Sequence, residues 1–310
     1  MITIRRSTDQ GLECIQDLAD GCWVNLVDPG PAEVSEMHER YGIPADFVTY
    51  PLDLDERARV EKEDEALLII LKVPHFEGDK ADIPFTTVPL GIIITERVIL
   101  TVCKIESGVI EELASGRVRG VSTAKRSRFA LLLFLVAAKR YLQYLREINK
   151  RVDQLEDQLQ MSLRNREVLG LLMYQKSLTY FTTSLKSNEL MMARLQKGQI
   201  FRMYPEDEDL LDDVITEIAQ AIEMSSISSG ILGDLMDAFA SIISNNLNVV
   251  MKFLASVTIV LALPTMVASV YGMNVALPLG AHPHAFWIVL GASMVVALMV
   301  VVVFYRKDWL

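Results

Sequence analysis

The sequence predicts an α+β domain, a mixed sheet with helices, that gives way to long helices and ends in two apolar helices crossing a membrane as a hairpin. Three observations carry this expectation. Short β-branched runs recur over residues 1–120. From Arg128 onward apolar residues return three and four apart in three long series. From Phe253 to Tyr305 there is no Asp, Glu, Lys or Arg, although the 310-residue chain has a net charge of −10.

The strand candidates are MITI at the start, then WVNLVD, ARVEKE, ALLIILKV, PLGIIIT and VILTVC, each a short run suited to a pleated, buried surface. Between the first two and the rest, PAEVSEMHERYG reads as a short helix, with Pro31 in its first turn and Gly42 as its stop. Tyr141, Leu145, Ile148, Val152, Leu155 and Leu159 make one helical seam. Leu171, Tyr174, Leu178, Phe181, Leu185, Asn188, Met192 and Leu195 make a second, so that two long helices can pair about a turn near Ser162–Arg166. A third series, Leu211, Val214, Ile218, Ala221, Ser225, Ser228, Leu232, Leu235, Phe239 and Ile242, follows Pro205 and the acidic run EDEDLLDD. Gly230 and Gly233 weaken this helix by about 1 kcal/mol each without stopping it. One helix is therefore expected over residues 206–271, roughly 100 Å long at 1.5 Å per residue.

The expected division is an N-terminal α/β cytosolic domain at 1–120 and long cytosolic helices at 121–205. A stalk at 206–271 follows, its span beginning near 253. A short external loop at 272–285, a second span at 286–305 and a basic tail at 306–310 complete the chain. Each apolar segment is long enough to cross a hydrocarbon core of about 30 Å. Phe286-Trp287 and Phe304-Tyr305 mark the second span's ends, where aromatic rings favour lipid headgroups. Lys252 and Arg306-Lys307 lie at the outer ends of the pair and the loop has no basic residue, which puts both termini in the cytosol.

The acidic balance argues against a nucleic-acid partner, which would require a basic face. It suits a protein that meets cations. Cys14, Cys22 and Cys103 have no metal-ligand spacing and read as reduced thiols. The start, MITIRRSTDQ, lacks the apolar core of a signal peptide. There is no P-loop, no GxGxxG after a strand and no HExxH, and the four histidines are scattered. No catalytic set is assembled, so no enzyme is expected.

A single two-helix hairpin cannot enclose a water-filled path, so conduction would need several copies around one axis. The first span has a face for this. Asn248, Met251, Ala255, Thr258, Ala262, Thr265, Ser269 and Gly272 fall on one stripe and are mostly small or hydroxylated. Phe253, Val257, Val260, Pro264, Val267 and Tyr271 form the bulkier opposite stripe. The alternative for the small stripe is close helix packing in the membrane.

With these elements placed, the chain resembles the CorA-type divalent metal transporters over essentially its whole length. The motif that carries the resemblance is YGMN, Tyr271 to Asn274, directly after the first span and followed by a short loop, a second span and the tail YRKDWL. VNLVDPGPAEVSEMHERYGIP and ARVEKEDEALLIILKVP are also similar to the family's N-terminal domain. The resemblance implies a funnel-shaped homopentamer in the plasma (inner) membrane, contacting lipid, with the first span lining a pore for Mg2+. It implies a constriction at Asn248, Met251 and Leu254, a lining at Thr258 and Thr265, and a selecting ring of Tyr271, Gly272, Met273 and Asn274. It also implies closure by intracellular divalent ions, with Asp213, beside Asp212, matching a regulatory acid. Co2+ and Ni2+ are further candidate ions. The alternatives are zinc (Zn2+) transport in the manner of the related ZntB branch, or a non-conducting, membrane-tethered oligomeric sensor or scaffold. One departure stands out: VALPLGAHPHAF carries none of the acids that many family members have after GMN. His282 and His284 there could favour Zn2+, Ni2+ or Co2+ only if copies converge; a solvated pair is the plainer reading.

Overall fold

The computed structural model describes residues 1–8, 11–161, 165–197, 205–275, 277–278, 282–307 and 309. Its contacts divide into two compact units, Met1–Asp234 and Leu235–Leu310.

In the first unit seven strands form one sheet in the order β2-β1-β3-β7-β6-β5-β4. They are β1 (Ile2–Thr8), β2 (Gly11–Ile15), β3 (Trp23–Val27), β4 (Arg59–Glu63), β5 (Ala66–Phe76), β6 (Phe85–Ile94) and β7 (Ile99–Cys103). Only β3 and β7 run parallel, so the sheet is mixed. All six β-branched runs are strands. The seventh, β2, has the sequence GLECI at a sheet edge, too short and too exposed to leave an apolar alternation.

Strand periodicity sorts the core onto two faces. Leu68, Ile70, Ile93, Leu100 and Val102 meet Met37, Ile43, Phe47 and Val48 of α1 (Pro31–Tyr41), α2 (Ala45–Thr49) and the turn between them. The alternate residues Leu67, Ile69, Leu71 and Val73 face the other way. They share a core with α3 (Gly108–Ala114), α4 (Arg126–Met161), α5 (Asn165–Lys197) and the start of α6 (Pro205–Tyr271). Helix α1 stops where Gly42 takes the left-handed conformation, φ 65°, as its position after the last apolar residue predicts. The helices α2 and α3, five and seven residues long, carry too little periodicity to be read from sequence.

The seams of α4 and α5 are buried except for the partly covered Leu155 and Tyr174, and Gly170 lets the two helices close up: a Cβ there would stand 3.0 Å from Leu155. The expected turn at Ser162–Arg166 falls largely outside the described residues. Asn188, the polar member of its seam, is buried for a reason the seam does not give. Strand β4 covers β5 only as far as Ile70, which pairs with Arg59. Beyond it the Lys72 N–H donates to Asn188 Oδ1 at 2.9 Å, and Asn188 Nδ2 and the Tyr141 hydroxyl donate to the Lys72 carbonyl at 2.8 and 2.9 Å. A side-chain amide thus stands in for a missing strand. Pro74 lies further along the same uncovered stretch, where a strand tolerates a residue without an N–H.

In the second unit α6 ends at Tyr271 and α7 runs over Ala285–Arg306. The 67 residues of α6 form one helix that includes Gly230, Gly233 and Pro264. Only 6% and 11% of the most apolar stretches of α6 and α7 are covered within the chain, the reverse of core helices in a soluble protein.

Candidate functional site

The helix α6 presents two different sides along its apolar part. Val257, Val260, Leu263, Pro264 and Val267 are partly covered and Ser256 is buried. Leu263, Met266, Val267 and Tyr271 share one crevice with Ile288, Val289, Ala292, Ser293 and Val296 of α7. The bulky stripe from Val257 to Val267 is thus the side turned to α7, while Phe253 before it is exposed. On the other side Asn248, Met251, Leu254, Ala255, Thr258, Ala262, Thr265 and Ser269 are all exposed in the single subunit. Close packing inside the hairpin therefore does not account for the small stripe. The uncovered side is broad enough to hold both Leu254 and Ala255, the two residues between which periodicity and family resemblance differ.

Two threonine hydroxyls on that side have a fixed polarity. Thr258 Oγ1 donates to the Leu254 carbonyl at 2.8 Å, and Thr265 Oγ1 to the Leu261 carbonyl at 2.9 Å. Each proton is used inside the helix, which leaves the oxygen lone pairs as acceptors on an uncovered face. The two threonines thus present partial negative charge outward, the polarity a cation or its coordinated water requires.

At the end of α6 the turn closes through the backbone. The Gly272 N–H donates to the carbonyls of Ala268 and Ser269 at 2.9 and 3.2 Å, and the Met273 N–H to Val270 at 3.2 Å. Gly272 is not in the left-handed region here. The Tyr271 hydroxyl donates to the Pro278 carbonyl at 3.3 Å and ties the helix end to the loop. Asn274 is exposed, and among the described residues no hydrogen bond engages its side chain. The helix cap is thus made by Gly272 and Met273, and capping does not explain the Asn274 amide.

The acidic run at the start of α6 is split in two. Glu206 pairs with Lys125 at 3.0 Å; the hydrogen bond and charge of Lys125 hold its carboxyl below the usual carboxylate range. Asp207 is buried and pairs with Arg128 at 3.0 Å, while its Oδ2 has no partner. These two acids fasten α6 to the start of α4. Asp212 and Asp213 are exposed and, among the described residues, join no ion pair. No group of three metal-ligating side chains occurs among the described residues, so within one chain these two aspartates lack further ligands. Sequence reading missed the fastening. Its only signal is the basic cluster Lys125, Arg126 and Arg128 at the head of α4, and nothing local links it to acids 80 residues on.

A mixed-sheet domain, one helix continuing into an almost uncovered apolar hairpin, and a face of outward oxygen acceptors define a membrane-embedded transport protein. A family described as CorA-like Mg2+ transporter protein matches residues 19–306, and the chain belongs to that family, whose members are transporters rather than enzymes. The Methanocaldococcus jannaschii cobalt/magnesium transport protein CorA is 30% identical over 299 residues, covering 93% of this chain and 91% of its own. The Thermotoga maritima protein of the same name is 23% identical over 301 residues, covering 95% and 85%. The complete structure of the CorA magnesium transporter from Methanocaldococcus jannaschii superposes with a TM-score of 0.87 at 25% identity, over 100% of this chain and 99% of that one. The ZntB cytoplasmic domain from Vibrio parahaemolyticus shares the fold at 12% identity, with a TM-score of 0.61 over 78% of this chain and 98% of its own.

Proposed function

We propose that this chain moves Mg2+, and Co2+ as a second ion, across the plasma membrane as a homopentamer with both termini in the cytosol. The observation that carries the reading is the two-sidedness of α6. Its bulky side is turned to α7, and its small, acceptor-bearing side is left for an axis shared with other copies. Residues 1–205 then form the cytosolic part, 206–271 the stalk and inner helix, and α7 the ring toward lipid.

Mg2+ gives up water reluctantly and prefers oxygen ligands in octahedral array. A ring of five Asn274 amides with Gly272 carbonyls would accept hydrogen bonds from its coordinated waters, and the neutral oxygens would hold it weakly enough for release. Further in, Thr265 and Thr258 continue the acceptors. Met251 and Leu254, with Asn248 below, would form a constriction that closes by expelling water. Asp212 and Asp213, exposed and unpaired, are placed in this reading where divalent ions could bridge neighbouring stalks and hold the closed state. Ni2+ and Zn2+ are tested with the other ions rather than assumed.

The test is ion-resolved flux into proteoliposomes containing the purified chain, with Mg2+, Co2+, Ni2+ and Zn2+ compared, and with Asn274→Ala beside it. Loss of Mg2+ uptake by about tenfold or more in the variant is expected. Equal uptake with and without that amide refutes the role given to the mouth.

A further inference from the structure

The outer loop holds a pair of histidines in a defined relation. His284 stands at the N-cap position of α7 without a side-chain cap bond, and its N–H donates to Nδ1 of His282 at 3.2 Å. The Ala285 N–H donates to the His282 carbonyl at 3.0 Å, and the two imidazole centroids are 6.0 Å apart. A ring nitrogen that accepts a hydrogen bond carries no proton, so His282 is neutral with its proton on Nε2. The same bond occupies the Nδ1 lone pair that a chelated metal would need.

Protonation reverses each of these relations. Nδ1 becomes a donor and can no longer accept from His284. The new charge sits at a helix N-terminus, where the helix dipole opposes it. A second imidazolium beside it adds like-charge repulsion. Nothing nearby offsets this: from Phe253 to Tyr305 the chain has no Asp, Glu, Lys or Arg. The other titratable groups of that segment are Tyr271, whose hydroxyl donates to Pro278, and Tyr305, at the far end of α7. The loop is uncharged when the pair is neutral, and strictly cationic when it is not.

We propose that His282 and His284 make external pH a control on cation uptake: the neutral pair leaves the mouth uncharged, while the protonated pair loosens the first turn of α7 and repels the arriving ion. The proposal rests on the transport reading above. Repeated in every subunit, the pair converts a mouth with no charge into a ring of positive ones, within a Debye length of about 10 Å where salt screens only partly. Histidine is the side chain whose charge changes within a range that an external medium reaches.

The experiment measures Mg2+ uptake by proteoliposomes at fixed internal pH while external pH is stepped from about 8 to about 5.5. Uptake is expected to fall on the order of five- to tenfold over this range. In His282→Asn with His284→Gln the profile is expected to flatten, with uptake at about pH 8 retained, since Asn still offers the His284 N–H an acceptor and neither side chain titrates. Nitrogen NMR of the ring-labelled full chain in liposomes should show His282 protonated on Nε2 at about pH 8 and converting to imidazolium as pH falls. A flat wild-type profile, an unchanged profile in the double variant, or a neutral His282 protonated on Nδ1 each overturns the proposal. A chain that moves no Mg2+ at any pH overturns the transport reading first, and the pH control falls with it.

Discussion

The two units spend their polar groups in opposite ways. In the first, Trp23 Nε1 donates to Thr101 Oγ1, which donates to Asn25 Oδ1, and Thr87 pairs with Ser184, all of them buried. Asn188 satisfies both backbone groups of Lys72. In the second unit the stripe on α6 keeps its oxygens unspent and its apolar surface uncovered. Groups satisfied inside a chain make a fixed body. Groups left facing outward in the same chain require lipid, an ion or another copy. One region is closed on itself, and the other is left open to partners.

The comparison is broken most severely at the fastening of α6 to α4. Arg128→Ala strands the buried Asp207 carboxylate, and a loss of about 3–5 kcal/mol is expected in denaturant unfolding of the full chain. Arg128→Met with Asp207→Leu, which removes both charges, should recover most of it. Asn188→Ala leaves the Lys72 N–H without its acceptor and takes one donor from the Lys72 carbonyl, for roughly 2–3 kcal/mol by the same measurement. On the other side of the comparison, Thr258→Val with Thr265→Val should lower Mg2+ uptake by about threefold to tenfold while leaving unfolding almost unchanged, because each hydroxyl bonds only its own helix. A stability loss equal to that of Asn188→Ala would erase the distinction between the two units. Asp212→Ala with Asp213→Ala should shift the Mg2+ concentration that protects the chain from protease upward by about threefold or more. An unchanged protection curve removes their regulatory role.

The smallest effect belongs to Glu206. Lys125 holds its folded-state pKa below the unfolded value, so the pair stabilises above the unfolded pKa and the benefit is lost as pH falls through the folded one. Wild type and Glu206→Gln should differ slightly at neutral pH and converge as pH falls below the usual carboxylate range, as read by thermal unfolding at a series of pH values.

What sequence made legible follows the range of the interactions concerned. The spans, the length of α6, the sides of its stripe and the stop of α1 at Gly42 depend on residues a few positions apart, and each is visible as spacing. The strand β2 and the helices α2 and α3 are too short to carry a period. Asn188 stands in the seam like its apolar neighbours, and its role lies at Lys72, 116 positions away. The acids of α6 read as one belt because they adjoin in sequence. Two of them are taken by Lys125 and Arg128, and that division exists only in three dimensions. The Asn274 amide was legible as a motif, while its freedom from capping needed the turn of Gly272 and Met273 to be seen.

The amide of Asn188 also sets an order of events during synthesis. Until α5 has emerged from the ribosome, β5 holds an open margin at Lys72 onto which a neighbouring nascent chain could add a strand. Closing it requires a loop of 116 residues to come home, a slow step by its entropy. Residue 188 is synthesised before the apolar stretch that begins at Phe253, and a pause ahead of it would lengthen the window for aggregation.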